Sequence, residues 1–157
     1  MEKEKVPVHY SLNIKLYRED KFFGPGVVRL LWSIAEGKSL RAAAAGLNMA
    51  YSKAWKLIKT AEGNLGFSLL DTRIGGADGG GADLTEDAKT MLVRFLKFEH
   101  EVYSRADEAW QRCFPEFPLK LSAGAEEEGG RRLKLPAEMT AELAVRLLPG
   151  ETREIGK

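Results

Sequence analysis

Cysteine and histidine are scarce in this sequence, and their scarcity excludes two kinds of site. The 157 residues include one cysteine, Cys113, and two histidines, His9 and His100. A single cysteine cannot form a disulfide within the chain, and these residues do not occur at the close spacing of metal ligands. We therefore expect Cys113 to be a partly buried, small apolar residue. We predict no metal site and no cofactor.

Long apolar runs and catalytic motifs are also missing. No run approaches the roughly 20 apolar residues that cross a bilayer, and the N-terminus lacks the apolar centre of a secretory signal. We therefore expect a cytoplasmic protein with no membrane partner. The GxSxG and HExxH motifs do not occur, and the glycine-rich segment 75–82 lacks the Gly-Lys-Ser/Thr ending of a phosphate-binding loop. The sequence predicts that the protein is not an enzyme.

Positive charge is scarce overall but locally concentrated. The formal net charge is +1. Residues 38–76 nevertheless contain six basic side chains against two acidic ones, whereas residues 115–157 contain seven basic and eight acidic ones. A nucleic-acid partner requires a local excess of positive charge rather than a high total. Segment 38–76 is therefore the part of the chain where such a partner is expected.

The N-terminal part predicts a small hairpin followed by a helix. Apolar and polar side chains alternate over residues 10–17, which indicates a half-buried strand. Residues 18–21 suit a turn before a short return strand at 22–23. Pro25 suits the first turn of a helix, and Gly37 suits its end. The helix has an apolar face made of Val27, Leu30, Leu31 and Ile34.

Residues 40–57 predict two short helices joined by a tight turn. Ser39 is a good N-cap for the first helix, at 40–45, whose alanines suit close approach to another helix. Asn48 tolerates the left-handed conformation that a sharp interhelical turn requires. The second helix, at about 50–62, has two faces. The apolar one contains Ala54, Leu57, Ile58 and Ala61, and the opposite one contains Ser52, Lys56 and Lys59.

The following segments predict a wing and a long helix. A strand at 67–72 and the return of the chain at 83–84, joined by the glycine-rich loop, make a wing. Thr85 is the N-cap of a helix that we expect to continue to about residue 113, before Pro115. An apolar stripe as long as the one on this helix usually meets another helix. Its members include Met91, Phe95, Phe98, Val102 and Ala106.

These elements together suit binding in the major groove of DNA, which admits one helix whose N-terminal residues reach base edges. The candidates for base contacts are Tyr51, Ser52, Lys53 and Lys56. The candidates for phosphate contacts are Arg41, Lys59 and the wing residue Arg73. Ser39, Gly75 and Gly76 complete the set of DNA-contact candidates. The alternative is that the lysines form the solvated face of a surface helix. The alanine-rich helix, the asparagine turn and the wing together favour the DNA interface.

Residues 12–114 resemble the N-terminal DNA-binding domain of the ModE family of molybdenum-dependent transcriptional regulators, a winged helix-turn-helix related to that of LysR-type regulators. The similar stretches are FFGPGVVRLLWSIAEGKSLRAAAAGLNMAYSKAWKLI, FSLLDTRIGGADGGGADLTEDA and the long helix. The resemblance implies a bacterial homodimer, held largely through the long helix and bound to a two-fold-related DNA site. It places Tyr51, Ser52 and Lys53 at the start of the recognition helix. The chain departs from the family pattern at Asn48, in place of a turn glycine, and at Ala50, in place of a serine.

The predicted fold class is mainly α with small β content, a winged helix-turn-helix with an N-terminal β-hairpin and a long C-terminal dimerisation helix. We expect a DNA-binding domain at 1–114, with the dimerisation helix at about 85–113, and a C-terminal tail or small appended module at 115–157. Apolar runs at 117–121 and 133–135 and a helical pattern at about 137–148 leave both forms of this C-terminal segment open.

Three hypotheses of function remain. The first is a sequence-specific transcriptional regulator that binds double-stranded DNA as a homodimer. The second is a winged-helix adaptor that binds protein and not DNA, which fits the nearly neutral total charge. The third is an oxyanion sensor for molybdate, which finds support only in the Arg131-Arg132 pair. The oxyanion-binding modules of the ModE family are longer than segment 115–157, so the sensing function is not carried over from the resemblance.

Overall fold

The computed structural model describes residues 8–72 and 81–119. This part of the chain is mainly helical with two short hairpins, as the sequence predicted. In chain order its elements are β1 (Leu16–Tyr17), β2 (Lys21–Phe23), α1 (Pro25–Ala35), α2 (Leu40–Gly46), α3 (Tyr51–Leu65), β3 (Leu70–Thr72), β4 (Ala82–Leu84) and α4 (Glu86–Cys113). Each strand pairs antiparallel with its neighbour in sequence, β1 with β2 and β3 with β4.

The N-terminal strand is shorter than the alternating pattern predicted. Only Leu16 and Tyr17 pair with β2, and the prediction of a strand over residues 10–17 was wrong for 10–15. Side chains still alternate between partly buried and exposed there, and the beginning of the segment, at Tyr10 and Leu12, is hydrogen-bonded to α4. The backbone N–H of Leu12 donates to the Tyr103 hydroxyl (3.2 Å), and that hydroxyl donates to the Leu12 carbonyl (2.7 Å). The Leu12 backbone is therefore hydrogen-bonded to a side chain and not to a neighbouring strand, so the sheet does not extend to this residue.

An apolar core joins the first three helices, the bases of both hairpins and the first half of α4. The α1 contribution is the face predicted from the sequence, and Leu30 and Leu31 are fully buried. Phe23 from β2 contacts Phe95 from α4, with ring centroids 5.2 Å apart. Fully burying a side chain of this size contributes roughly 1.5–3 kcal/mol. This core therefore supplies the rigid base on which α2 and α3 are held.

The turn between α2 and α3 has the predicted conformation. The Ser39 side chain accepts a hydrogen bond from the Ala42 backbone N–H (3.1 Å) and so caps α2, which ends at Gly46, one position beyond the expected end. Asn48 has a φ of 51°, in the left-handed region that asparagine tolerates better than most residues. The Met49 backbone N–H then donates to the Ala44 carbonyl (2.9 Å), which closes the turn.

Helix α3 extends beyond the end at residue 62 that the sequence predicted. It ends at Leu65, and Gly66, with a φ of 83°, forms its left-handed C-cap. Gly63 is tolerated inside the helix, so it does not act as the stop. The tip of the first hairpin also reaches this end, since the Arg18 guanidinium donates to the Asn64 carbonyl (3.1 Å). The strand that follows begins at Leu70 and not at residue 67.

Helix α4 begins and ends where the sequence predicted. The Thr85 hydroxyl accepts from the Ala88 backbone N–H (3.0 Å) at its start, and its last residue is Cys113. Cys113 is exposed, so the expectation of partial burial was wrong; the residue lies in the last turn, beyond the reach of the core. No helix within the described ranges is long and apolar enough to cross a membrane.

Two sets of predictions lie outside the described residues. One is the wing tip, which includes Arg73, Gly75 and Gly76. The other comprises the apolar runs and the helical pattern beyond residue 119.

Candidate nucleic-acid interface

The outer face of α3 is polar and cationic, and its inner face is apolar. Ala54, Ile58 and Ala61 are fully buried and attach the helix to the core. Successive helical residues are about 100° apart, so Ser52 and Lys56 project almost directly away from that core. Both are exposed. This face therefore leaves a hydroxyl and an ammonium group in solvent on a helix whose backbone is firmly held.

Lys53 and Lys56 are free of intramolecular partners within the described residues. No hydrogen bond or ion pair in this part of the chain involves either ammonium group. Lys53 lies on one flank of α3, and Lys56 lies on the outermost line. Because their charges are not neutralised locally, both are available to an anionic or hydrogen-bonding partner.

The start of α3 has no side-chain cap, unlike the starts of α2 and α4. Ala50 has the extended backbone of an N-cap residue (φ −61°, ψ 140°) but no side-chain oxygen to accept a hydrogen bond. The N–H groups of the first turn have no acceptor within the helix itself. Together with the positive end of the helix dipole they favour an anion at this position.

Arg41 of α2 contacts Tyr51, the first residue of α3. The guanidinium carbon lies 4.6 Å from the centroid of the Tyr51 ring, which is the geometry of a cation–π contact. Tyr51 remains 41% exposed. The sequence predicted a phosphate contact for Arg41 and a base contact for Tyr51, and the two residues meet only because the tight turn places α2 beside α3.

A second cation–aromatic pair lies one turn further along α3. The Lys59 ammonium group is 4.6 Å from the centroid of the Trp55 ring and 2.9 Å from Oε2 of Glu62. Trp55 is 39% exposed. The charge of Lys59 is thus shared with a carboxylate, unlike that of Lys56. Trp55 was not among the contact residues that the sequence predicted.

Glu62 links α3 to the base of the wing. While Oε2 pairs with Lys59, Oε1 accepts a hydrogen bond from the Leu69 backbone N–H (2.8 Å). The Leu69 carbonyl in turn accepts from the Thr85 backbone N–H (3.0 Å), and the Thr85 hydroxyl donates to the Ser68 carbonyl (2.7 Å). A continuous set of hydrogen bonds therefore joins α3, the wing base and the start of α4.

The remaining predicted residues in the described ranges lie just before α2 and on α4. Ser39 is partly buried and its oxygen is used as the cap of α2. On α4, Phe95 is 4% exposed and belongs to the core of the domain, whereas Phe98 is 51% exposed. Met91, Val102 and Ala106 are partly buried. Among the residues that the structure describes, no three His, Cys, Asp or Glu side chains lie close enough to hold a metal ion.

A known protein family matches the segment of the chain that carries this surface. Residues 27–89 match the family described as bacterial regulatory helix-turn-helix protein, lysR family. This segment is a LysR-like winged helix-turn-helix. The match begins in α1 and ends in the first turn of α4, so it includes α2, α3 and the wing. The family is one of DNA-binding regulators and not of enzymes, and it supports double-stranded DNA as the partner of the LysR-like domain. A comparison with curated proteins gave no match.

Proposed function

We propose that this protein is a sequence-specific transcriptional regulator that places α3 in the major groove of DNA. The observation that carries the proposal is that Lys53 and Lys56, two exposed lysines of α3 in a LysR-like domain, have no partner among the residues that the structure describes. With Ser52 these side chains occupy the first turns of α3, which are the turns that reach base edges in helix-turn-helix complexes.

Phosphate contacts would fix the position of the domain on the duplex. Arg41 lies beside the start of α3 and Lys59 lies further along it, and we propose both as phosphate contacts. The uncapped first turn of α3 adds backbone donors in the same region. We include Arg73, Gly75 and Gly76 in this set, because in the sequence they belong to the glycine-rich segment between β3 and β4.

The DNA interface is tested by selecting bound duplexes from a random pool and then measuring the affinity of the selected sequence. We expect the Lys56→Ala variant to bind it about 5- to 150-fold more weakly, as for the loss of a base contact of roughly 1–3 kcal/mol. Lys21→Ala is the matched control, because Lys21 is an exposed lysine that belongs to β2 and not to the outer face of α3. Equal affinities of the two variants would contradict the proposed interface.

We also propose that the protein acts as a homodimer joined through α4. Phe98 supports this proposal, because this phenylalanine is 51% exposed on a long helix. Its burial against a partner would lower the free energy of the dimer relative to the monomers. Phe95 is taken up by the core, so the proposed contact surface consists of Met91, Phe98, Val102 and Ala106.

The dimer is tested by sedimentation equilibrium of the Phe98→Asp variant, which we expect to be shifted toward the monomer. Lys97→Asp is the matched control, because Lys97 is exposed and adjacent but lies outside the apolar stripe. A monomeric wild-type protein would contradict the dimer, and a palindromic selected site would support it.

We propose further that the regulator is of the ModE type, and the resemblance of residues 12–114 to the DNA-binding domain of that family supports this proposal. Within this assignment we propose residues 1–114 as the DNA-binding domain and 115–157 as an appended segment. Isothermal titration calorimetry with molybdate and tungstate tests whether the protein also senses an oxyanion. No heat of binding with either ion would contradict that role. A protein that shifts no duplex at low salt but retains a protein partner would instead favour the adaptor function.

A further inference from the structure

The structure assigns Tyr51 and Trp55 a common role: we infer that their rings are platforms that hold Arg41 and Lys59 on one flank of α3, against the phosphates of one DNA strand. This inference rests on the proposed DNA-binding function. It differs from the sequence prediction in that Tyr51 no longer reads a base. It also adds Trp55 to the interface.

The two rings occupy the same side of α3. Tyr51 and Trp55 are four residues apart, and residues at this spacing lie one above the other on a helix. The two residues are 41% and 39% exposed, and each ring has a cationic group 4.6 Å from its centroid. Neither ring is part of the apolar core or of the side chains packed against it. Together the four side chains form a row, which we call the stacked row, of Arg41, Tyr51, Trp55 and Lys59.

The position of the stacked row favours phosphates over bases. The outermost line of α3, through Ser52 and Lys56, points to the floor of a groove that the helix enters. Side chains on a flank of the same helix point to the walls of the groove, where the sugar–phosphate strands run. The two rings of the stacked row lie on a flank and hold the cationic groups against it, and these cations are the groups that a phosphate attracts.

The stacking also leaves the cations able to bind. A guanidinium that lies over an aromatic ring keeps N–H donors at its edge, so Arg41 still has donors for a phosphate oxygen. The ring restricts the rotamers of the long side chain before DNA arrives, which lowers the entropy lost on binding. Lys59 is less available, because its ammonium group also pairs with Glu62. The Arg41–Tyr51 pair is therefore the sharper test.

The experiment measures the affinity of the full chain for the selected duplex and for a scrambled duplex of equal length, over a salt series. The variants are Tyr51→Phe, Tyr51→Leu, Arg41→Gln and the double variant with Leu and Gln. Tyr51→Phe keeps the ring and removes only the hydroxyl, so we expect it to bind both duplexes as the wild type does. Tyr51→Leu removes the platform, and we expect about two- to fivefold weaker binding to both duplexes equally.

Arg41→Gln is expected to lower the slope of log affinity against log salt by about 0.9, as for one lost phosphate contact. The double variant should bind about as weakly as Arg41→Gln alone, because the platform acts through the arginine. The variants Trp55→Leu and Lys59→Gln, alone and combined, repeat this comparison at the second pair. They provide the test if circular dichroism shows that Tyr51→Leu does not fold.

Two results would overturn the inference alone. One is a loss of preference for the selected duplex in Tyr51→Phe, which would mean that the hydroxyl reads a base. The other is additive effects of the Tyr51 and Arg41 substitutions, which would mean that the ring does not act through the cation. A wild-type protein that binds neither duplex at low salt would overturn the proposed function together with the inference.

Discussion

Replacement of Glu62 tests whether α3 and the wing are held together by one carboxylate. In Glu62→Ala the backbone N–H of Leu69 loses its acceptor at 2.8 Å, in a residue whose side chain is fully buried. Leaving a buried donor unsatisfied costs about 1–3 kcal/mol. The ion pair with Lys59 adds only roughly 0.3–0.5 kcal/mol, because the Lys59 side chain is 52% exposed and solvent screens the pair.

The expected loss in Glu62→Ala is therefore about 2 kcal/mol in the free energy of unfolding. Glu62→Gln is the matched control, since its side-chain carbonyl still accepts from the Leu69 N–H while the negative charge is gone. We expect the Gln variant to lose less than about 0.5 kcal/mol, the contribution of the ion pair alone.

Urea denaturation of both variants without DNA provides the measurement, with the stability change taken from the midpoint at constant m value. Hydrogen exchange of the Leu69 amide supplies a local measurement, and this amide should lose protection in the Ala variant only. The reasoning is refuted if the Ala and Gln variants are equally stable, because the hydrogen bond to Leu69 would then contribute nothing.

Three further predictions concern the turn, the start of α3 and the N-terminal segment. Asn48→Ala should cost about 1–2 kcal/mol in thermal unfolding, because alanine disfavours the φ of 51°, whereas Asn48→Gly should not; equal losses would contradict this. Ala50→Ser should raise stability by about 1 kcal/mol by capping α3 at a residue that already has the extended backbone, and Ala50→Val, which adds no acceptor, should not. Tyr103→Phe should expose the amide of Leu12 to hydrogen exchange, because both hydrogen bonds to its backbone use the lost hydroxyl; unchanged protection would show that these bonds do not hold the segment.

The helical part of the fold was predictable because its signals are local. The caps at Ser39 and Thr85, the turn at Asn48 and the apolar faces of α1 and α3 all depend on residues within a few positions of one another. The same local rules failed where a partner was distant. The alternation over residues 10–17 correctly indicated one partly buried side, but it could not show that the Leu12 backbone would bond to the Tyr103 hydroxyl of α4 and not to a second strand.

The candidate interface also has features that depend on local sequence and features that depend on distant partners. The separation of the apolar and cationic faces of α3 follows from helical periodicity alone, and the exposure of Ser52, Lys53 and Lys56 agrees with it. The roles of these residues in DNA contact remain predictions. The periodic stripe on α4 was less informative, because a 3–4 repeat does not show whether a side chain such as Phe95 faces its own core or a partner.

The sequence by itself determined the order of the elements, the sharp turn between α2 and α3, and the cationic outer side of α3, because each depends on short-range geometry and on the spacing of apolar residues. Only the tertiary structure decided that Arg41 lies over Tyr51, that Glu62 holds Leu69 and that Tyr103 holds Leu12. The physical reason is that these contacts join groups on different segments, and such groups meet only after the core has fixed the helices in place.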